Sequence, residues 1–210
     1  MKPGMFFSFD GVDGAGKTTQ LELFARWLRE AGQHVLTCRD PGSTPLGEAV
    51  RKILLDLHEI RIGRRSEMLL YMAARAQLVE QVIAPALAEG KIVVSDRFLL
   101  ANVVYQGHAG GLDVDALWQV GAIATAGLEP ELTFVLDLAD EAAAARLARP
   151  LDRMEQQGDA FRTALRRGYL AEAARRPGRI VVIDASGPVD AVQADIRAAA
   201  AAILNRPADG

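Results

Sequence analysis

One cysteine, Cys38, stands in a chain of 210 residues. That excludes an intramolecular disulfide framework, and no neighbouring cysteine or histidine cluster has the spacing of a zinc site. A reducing cytoplasm is the simplest setting for such a chain. Lysine is nearly as scarce, with four residues against 20 arginines, part of which is compositional habit. The formal charge is only −3 and the pI about 5.7. This leaves no electrostatic footprint for bulk nucleic acid or an anionic membrane, so neither is expected as a partner, and any phosphate must be met by a local site. No apolar run is long enough to span a bilayer. The opening MKPGMFFSFDG lacks the longer apolar core and small-residue cleavage site of a signal peptide. There is no Pro, Gly or Ser-rich linker, no internal repeat, and no Asn-Lys pair with which to build the guanine-reading segment of a GTPase switch.

What is present is an apolar half of the composition, enough to fill one core, and a regular alternation. Apolar, β-branched or aromatic runs at Met5–Phe9, His34–Cys38, Lys91–Ser95, Leu132–Leu136 and Arg179–Ile183 read as strands. Between them, helix spacing is seen at Glu67–Ala88, Val114–Ala126 and Asp159–Ala174, and Val189–Leu204 closes the chain with its five alanines at 198–202. Continuous apolar strands suit a parallel sheet covered on both faces. The expectation is α/β: a doubly wound parallel sheet of about five strands, one domain over residues 1–210, with GRRSEM and RPLDRMEQQGD as the most loop-like interruptions.

The stretch Gly11-Val12-Asp13-Gly14-Ala15-Gly16-Lys17-Thr18-Thr19 fits G-x-x-x-x-G-K-[ST], with a strand before it and a helix after. Glycines let successive backbone N–H groups curl toward one anion, and the following helix adds its positive end. Lys17 is expected to stand exposed and reach the outer phosphates, while the Thr18 hydroxyl can ligate magnesium. A bare glycine-rich turn would not need the lysine. A nucleoside triphosphate with Mg²⁺ is therefore the first expected ligand. A small-molecule phosphotransferase, as opposed to a regulator that only holds ATP, needs a second anion site facing the first and a lid that excludes water.

Further motifs, in order, resemble those of thymidylate kinases. CRDPGSTPLGEAVRKILL is similar to that family's Arg-Glu-Pro-Gly-Gly loop and helix, and EMLLYMAARAQLVEQVIAPALAEGKIVVSDRF to its long central helix and Asp-Arg-Tyr/Phe signature. VVYQG resembles its Ala-Tyr-Gln segment and PLDRMEQ its lid, here near residues 146–158. The resemblance implies transfer of the γ-phosphoryl group of ATP to dTMP, usually in a homodimer; the neighbouring possibilities are another nucleoside monophosphate or a deoxynucleoside as acceptor.

Residue by residue, the resemblance implies that Asp96 stands with Thr18 in the magnesium shell and that Arg97 clamps donor and acceptor phosphates. Asp13 would contact the acceptor's sugar and phosphate region. Tyr71 and Arg75, four apart and so on one helix face, resemble the aromatic that stacks on thymine and the arginine that hydrogen-bonds it. Arg51 resembles a second acceptor-site arginine, while Asn102, Tyr105 and Gln106 resemble base-edge and sugar contacts. The P-loop carries no arginine, and the resemblance then implies that the lid supplies the catalytic charge, from Arg149 and Arg153, with Arg146 third. Three departures stand out: Asp40-Pro41-Gly42-Ser43 for Glu-Pro-Gly-Gly, Ala101-Asn102 for a Ser-Ser or Ser-Thr pair, and Pro150 in place of a lid glycine.

Overall fold

A computed structural model describes residues 4–55, 61–146 and 158–205. Five strands, β1 (Met5–Gly11), β2 (Val35–Arg39), β3 (Ile92–Asp96), β4 (Leu132–Asp137) and β5 (Ile180–Asp184), form one sheet in the order β2-β3-β1-β4-β5. Every pairing is parallel. All five strand readings fall where the apolar runs lie, each shifted by no more than a residue or two. Helices α1 (Lys17–Glu30), α2 (Pro45–Leu55), α3 (Arg64–Leu78), α4 (Ala84–Ala88), α5 (Leu99–Asn102), α6 (Val114–Ala124), α7 (Asp140–Arg146), α8 (Asp159–Arg175) and α9 (Val189–Leu204) connect and cover the strands. Among the described residues no helix is long and apolar enough to cross a membrane.

The pleat explains why the runs are continuous rather than alternating. Phe7 and Phe9 point to one face, where they meet Phe24 of α1 and Phe134 of β4 with ring centroids 5.0 to 6.1 Å apart. Phe6 points to the other face, edge-on to Phe98 at 4.9 Å. Both faces are apolar because both are covered, and each buried phenylalanine contributes roughly 1.5–3 kcal/mol. Ser8, one of the buried polar residues of the sheet, sits opposite Thr133 in the register and shares a 2.8 Å hydroxyl contact with it.

Two helix readings need correction. The expected single helix at 67–88 is a continuous rod, but residues Val79–Ile83 form a π turn between α3 and α4. GRRSEM is not a loop: α3 starts at Arg64, with Glu67 N–H donating to the Gly63 carbonyl at 2.9 Å. Arginine is a good helix former, and a helix already anchored by buried Met72 and Leu78 extends by a turn at little cost. A second π turn, Val103–His108, follows α5 directly. Such turns concentrate at functional sites.

Sheet order places the site. β1 lies between β3 and β4, so the turn after β1 and the turn after β3 emerge side by side, with Phe9 registered on Asp96. The ladder runs one step past the strands, because Arg97 N–H donates to the Phe9 carbonyl at 2.8 Å and Asp40 N–H to the Asp96 carbonyl at 3.0 Å. Asp10, Asp40, Asp96 and Arg97 are thereby delivered to one carboxyl edge, where open α/β sheets bind ligands.

Candidate active site

The loop after β1 wraps as its sequence demands. Gly14 and Gly16 have φ of +84° and +89°, and a Cβ on Gly14 would stand 2.3 Å from the Ala143 carbonyl of α7. Lys17 departs from expectation. It is only 7 % exposed, and its ammonium group folds back on the loop, donating to the carbonyls of Gly11 (3.2 Å) and Val12 (2.9 Å) and to Asp13 Oδ1 (3.4 Å). These two carbonyls and the Asp13 carboxylate give its three hydrogens acceptors. Burial, then the nearby Arg97 charge, lower its pKa.

Arg97 is held at φ +65°, a conformation a non-glycine residue rarely adopts and one found at binding sites. Nη1 donates to the Gly11 carbonyl and the Tyr169 hydroxyl, both at 3.1 Å, and Nη2 to Asp13 Oδ1 at 2.5 Å and the Tyr105 hydroxyl at 3.1 Å. The Tyr105 hydroxyl in turn donates to Asp13 Oδ2 at 3.0 Å. Burial alone would raise the pKa of Asp13, but Arg97, Lys17 and the Tyr105 hydrogen bond outweigh it and hold the carboxyl well below the usual range. Asp13 is therefore no solvated loop residue, and Arg97 pairs with it rather than with its neighbour Asp96.

Asp96 Oδ2 instead accepts from the Thr18 hydroxyl at 3.3 Å. A hydroxyl and a carboxylate side by side at the mouth of a cavity are the hard oxygen donors that suit Mg²⁺, which prefers few protein ligands and completes its shell with water and phosphate. The described residues contain no cluster of three or more His, Cys, Asp or Glu that could hold a metal.

Two cavities open here. The larger, about 1050 Å³, runs over the P-loop and the start of α1 and reaches Arg146; the smaller, about 100 Å³, is lined by Tyr71, Arg75, Ala101, Asn102, Tyr105 and Gln106. Asp13, Asp40, Arg51 and Arg97 line both, so they form the wall through which the cavities meet.

The family model described as Thymidylate kinase matches residues 9–196. The chain belongs to the thymidylate kinase family. A thymidylate kinase from Symbiobacterium thermophilum is 45% identical over 96% of this chain and 95% of its own, and one from Rhodopirellula baltica 44% identical over 93% and 80%. The crystal structure of thymidylate kinase from Ehrlichia chaffeensis superposes with a TM-score of 0.74 at 30% identity, covering 93% of this chain and 98% of that one.

In this family member the residues named from sequence converge, apart from the lid. Gly11, Val12, Asp13, Gly14, Ala15, Gly16, Lys17, Thr18 and Thr19 form the P-loop and first turn of α1. Arg51 donates to the Pro41 carbonyl at 3.1 Å. Arg75, which outside the family resemblance reads as solvated, is 1% exposed and bound to Asp40 Oδ2 at 2.6 Å and Asn102 Oδ1 at 3.1 Å. Arg146 is exposed at the end of α7 and donates to the Ala185 carbonyl at 3.3 Å. Arg149, Arg153 and most of the 146–158 lid lie outside the described residues.

Sequence reading missed Asp10, Tyr169 and Glu67. Asp10 is fully buried at the end of β1, receives the Tyr169 hydroxyl at 3.3 Å, and among the described residues its Oδ2 meets no hydrogen-bond partner. Burial pushes its pKa up to about 7 against the pull of Arg97 and Lys17. Its signal was an acid closing an otherwise apolar strand. Tyr169 and Glu67 carry no such mark, since each reads as an ordinary helix residue.

Proposed function

We propose that this protein phosphorylates dTMP, transferring the γ-phosphoryl group of ATP to give ADP and dTDP. The observation that carries the reading is the shared wall: a P-loop cavity for a triphosphate and a small cavity lined by two tyrosines, an arginine and two amides meet at Asp13, Asp40, Arg51 and Arg97. Reaction at that junction is in-line, with no covalent enzyme intermediate, and catalysis is mostly positioning and charge stabilisation.

The P-loop N–H groups and the start of α1 receive the donor phosphates. Lys17 leaves the Gly11 and Val12 carbonyls for phosphate oxygens, exchanging neutral acceptors for charged ones. Arg97 faces both nucleotides, and since its four terminal N–H groups already have protein partners, phosphate oxygens displace the Tyr105 and Tyr169 hydroxyls. Asp13 stays ionised and keeps Arg97 and Tyr105 aimed at the junction, while Tyr105 crowds the sugar and favours a deoxyribose. Tyr71 stacks on the base, which Arg75, Asn102 and Gln106 read at its edge. Thr18 and Asp96 would hold Mg²⁺, which would supply charge neutralisation of the phosphates. Lid arginines Arg149 and Arg153, with Arg146 third, add charge on closure.

The partners in this reading are small molecules, with neither nucleic acid nor membrane surface, in the cytoplasm. A second copy of the chain is the one protein partner, supported by exposed apolar residues Leu46, Leu69 and Ile123 on α2, α3 and α6. A coupled ADP-release assay over dTMP, dUMP, UMP, CMP, AMP and thymidine tests the reaction. Turnover should be highest with dTMP; turnover of AMP or CMP without dTMP overturns it.

A further inference from the structure

Behind the smaller cavity, buried polar side chains run in a line between two carboxylates. Asp40 Oδ2 accepts from Arg75 Nε at 2.6 Å, and Arg75 Nη1 donates to Asn102 Oδ1 at 3.1 Å. Asn102 Nδ2 then donates to Gln106 Oε1 at 2.5 Å, and Gln106 Nε2 to Glu67 Oε1 at 2.8 Å. All five residues are buried. Glu67 is not among the residues lining either cavity and reaches the line from the first turn of α3.

The direction of this line is fixed by its ends. An arginine side chain only donates and an ionised glutamate only accepts, whereas each amide between them presents an acceptor on one side and donors on the other. Turning Asn102 by half a rotation would set N–H against the Arg75 N–H groups and oxygen against Gln106 Oε1. Turning Gln106 would likewise break both of its links, placing oxygen against the Glu67 carboxylate. In a buried place each broken link leaves unsatisfied groups that cost far more than a hydrogen bond gains.

We infer that Glu67 is a positioning residue that sets base specificity: it locks the amide of Gln106, and through it that of Asn102, in a single sense. The inference rests on the proposed reading of the smaller cavity as the acceptor-base site. In that sense each amide oxygen uses one lone pair in the line and keeps a second, and Arg75 Nη2 has a hydrogen beyond the one directed at the Phe98 carbonyl at 3.4 Å. The wall so built offers acceptors beside a donor. It matches a base edge that carries a ring N–H next to a carbonyl, and it opposes one that carries a bare ring nitrogen next to an amino group. With glutamine at 67, the link to Gln106 is satisfied in either sense, so turning Gln106 breaks one link where it had broken two.

The test compares kcat/KM for dTMP and dCMP in the wild type and in Glu67→Gln, with dCMP measured as a competitive inhibitor of dTMP where its turnover is too slow. The dTMP to dCMP ratio should fall by roughly tenfold or more in the variant, the penalty removed being that of one buried mismatched pair, while the KM for ATP stays unchanged. A purely structural role for Glu67 would lower both nucleotides alike; an unchanged ratio in a folded variant overturns the inference. If Glu67→Gln does not fold, Glu67→Ala carries the test: with no acceptor at 67 for Gln106 Nε2, turning Gln106 again breaks one link where it had broken two. The ratio should fall in the same direction, and an unchanged ratio there overturns the inference equally. Failure of the wild type to phosphorylate dTMP at all would instead overturn the proposed reaction, a distinct result.

Discussion

Lys17 and Asp10 share one buried neighbourhood with opposite electrostatic problems. Lys17 has its hydrogens satisfied by its own loop, so Lys17→Ala should leave the fold largely intact while removing a charge from the phosphates. Turnover is expected to fall by roughly 10²–10³, and equal turnover in a folded variant, checked by steady-state kinetics alongside thermal melting, would remove the P-loop mechanism. Asp10 holds its proton more tightly in the folded chain, with a pKa pushed up from 3.8 to about 7 by burial. Its contribution to stability is therefore fully present below 3.8 and is lost as the pH rises toward 7. Asp13 has the opposite sign: its contribution is present above the ordinary carboxylate range and is lost only at more acidic pH. Asp10→Asn cannot ionise and keeps an acceptor for Tyr169. Across the window from about pH 4 to about pH 7 the stability difference should move in the variant's favour, by at most about 1.4 kcal/mol per pH unit. Denaturant titrations of both proteins at several pH values measure it, and a pH-independent difference would contradict the assignment.

α8 and the π turn at Val103–His108 bear on the proposed acceptor site, since the turn carries Tyr105 and Gln106. They approach so closely that a Cβ on Gly168 would stand 2.7 Å from the Cβ of His108 and 3.1 Å from Val104 Cγ1. Alanine at 168 would gain up to about 1 kcal/mol of helix propensity, but overpacking against a Cβ that cannot swing aside costs about 1–3 kcal/mol. Gly168→Ala should therefore lower the melting temperature and, by shifting the turn that carries Tyr105 and Gln106, raise the KM for dTMP more than that for ATP. Calorimetry and kinetics on one preparation check both. The lid makes a separate element-scale prediction. Since Val12, Asp13, Gly14 and Ala15 include no arginine, Arg149→Ala with Arg153→Ala should depress turnover at saturating ATP; full turnover would move the catalytic charge elsewhere, with Arg146 next to be tested. Apolar spacing made the helices at 67–88, 114–126, 159–174 and 189–204 readable, but not the short α5 and α7 or the two π turns. A π turn differs from an α turn by one residue in the hydrogen-bond ladder, and tertiary packing selects it rather than composition.

For the whole molecule, α2, α3 and α6 pack in series, α2 on α3 and α3 on α6, and they leave Leu69 55% and Ile123 82% exposed. Exposed large aliphatics on neighbouring helices suit a second copy of the chain. Leu69→Glu with Ile123→Glu should convert the proposed dimer to monomers in analytical ultracentrifugation, and an unchanged sedimentation coefficient would count against this interface. The sequence by itself determined the five strands, the phosphate-binding turn and the α/β class, because each rests on local rules: apolar period, glycine conformations and the spacing of lysine and threonine after them. Through family resemblance it also pointed to Arg51, Tyr71, Arg75, Asp96, Arg97, Asn102, Tyr105 and Gln106, which are among the residues that line the two cavities. Only the tertiary structure decided that Asp10, Tyr169 and Glu67 belong with them, and that Arg75 and Lys17 are buried with protein partners. Each of those facts depends on which strand lies beside which and which helix closes over it. A hydrogen bond between residues 39 or 159 positions apart leaves no local trace in the chain.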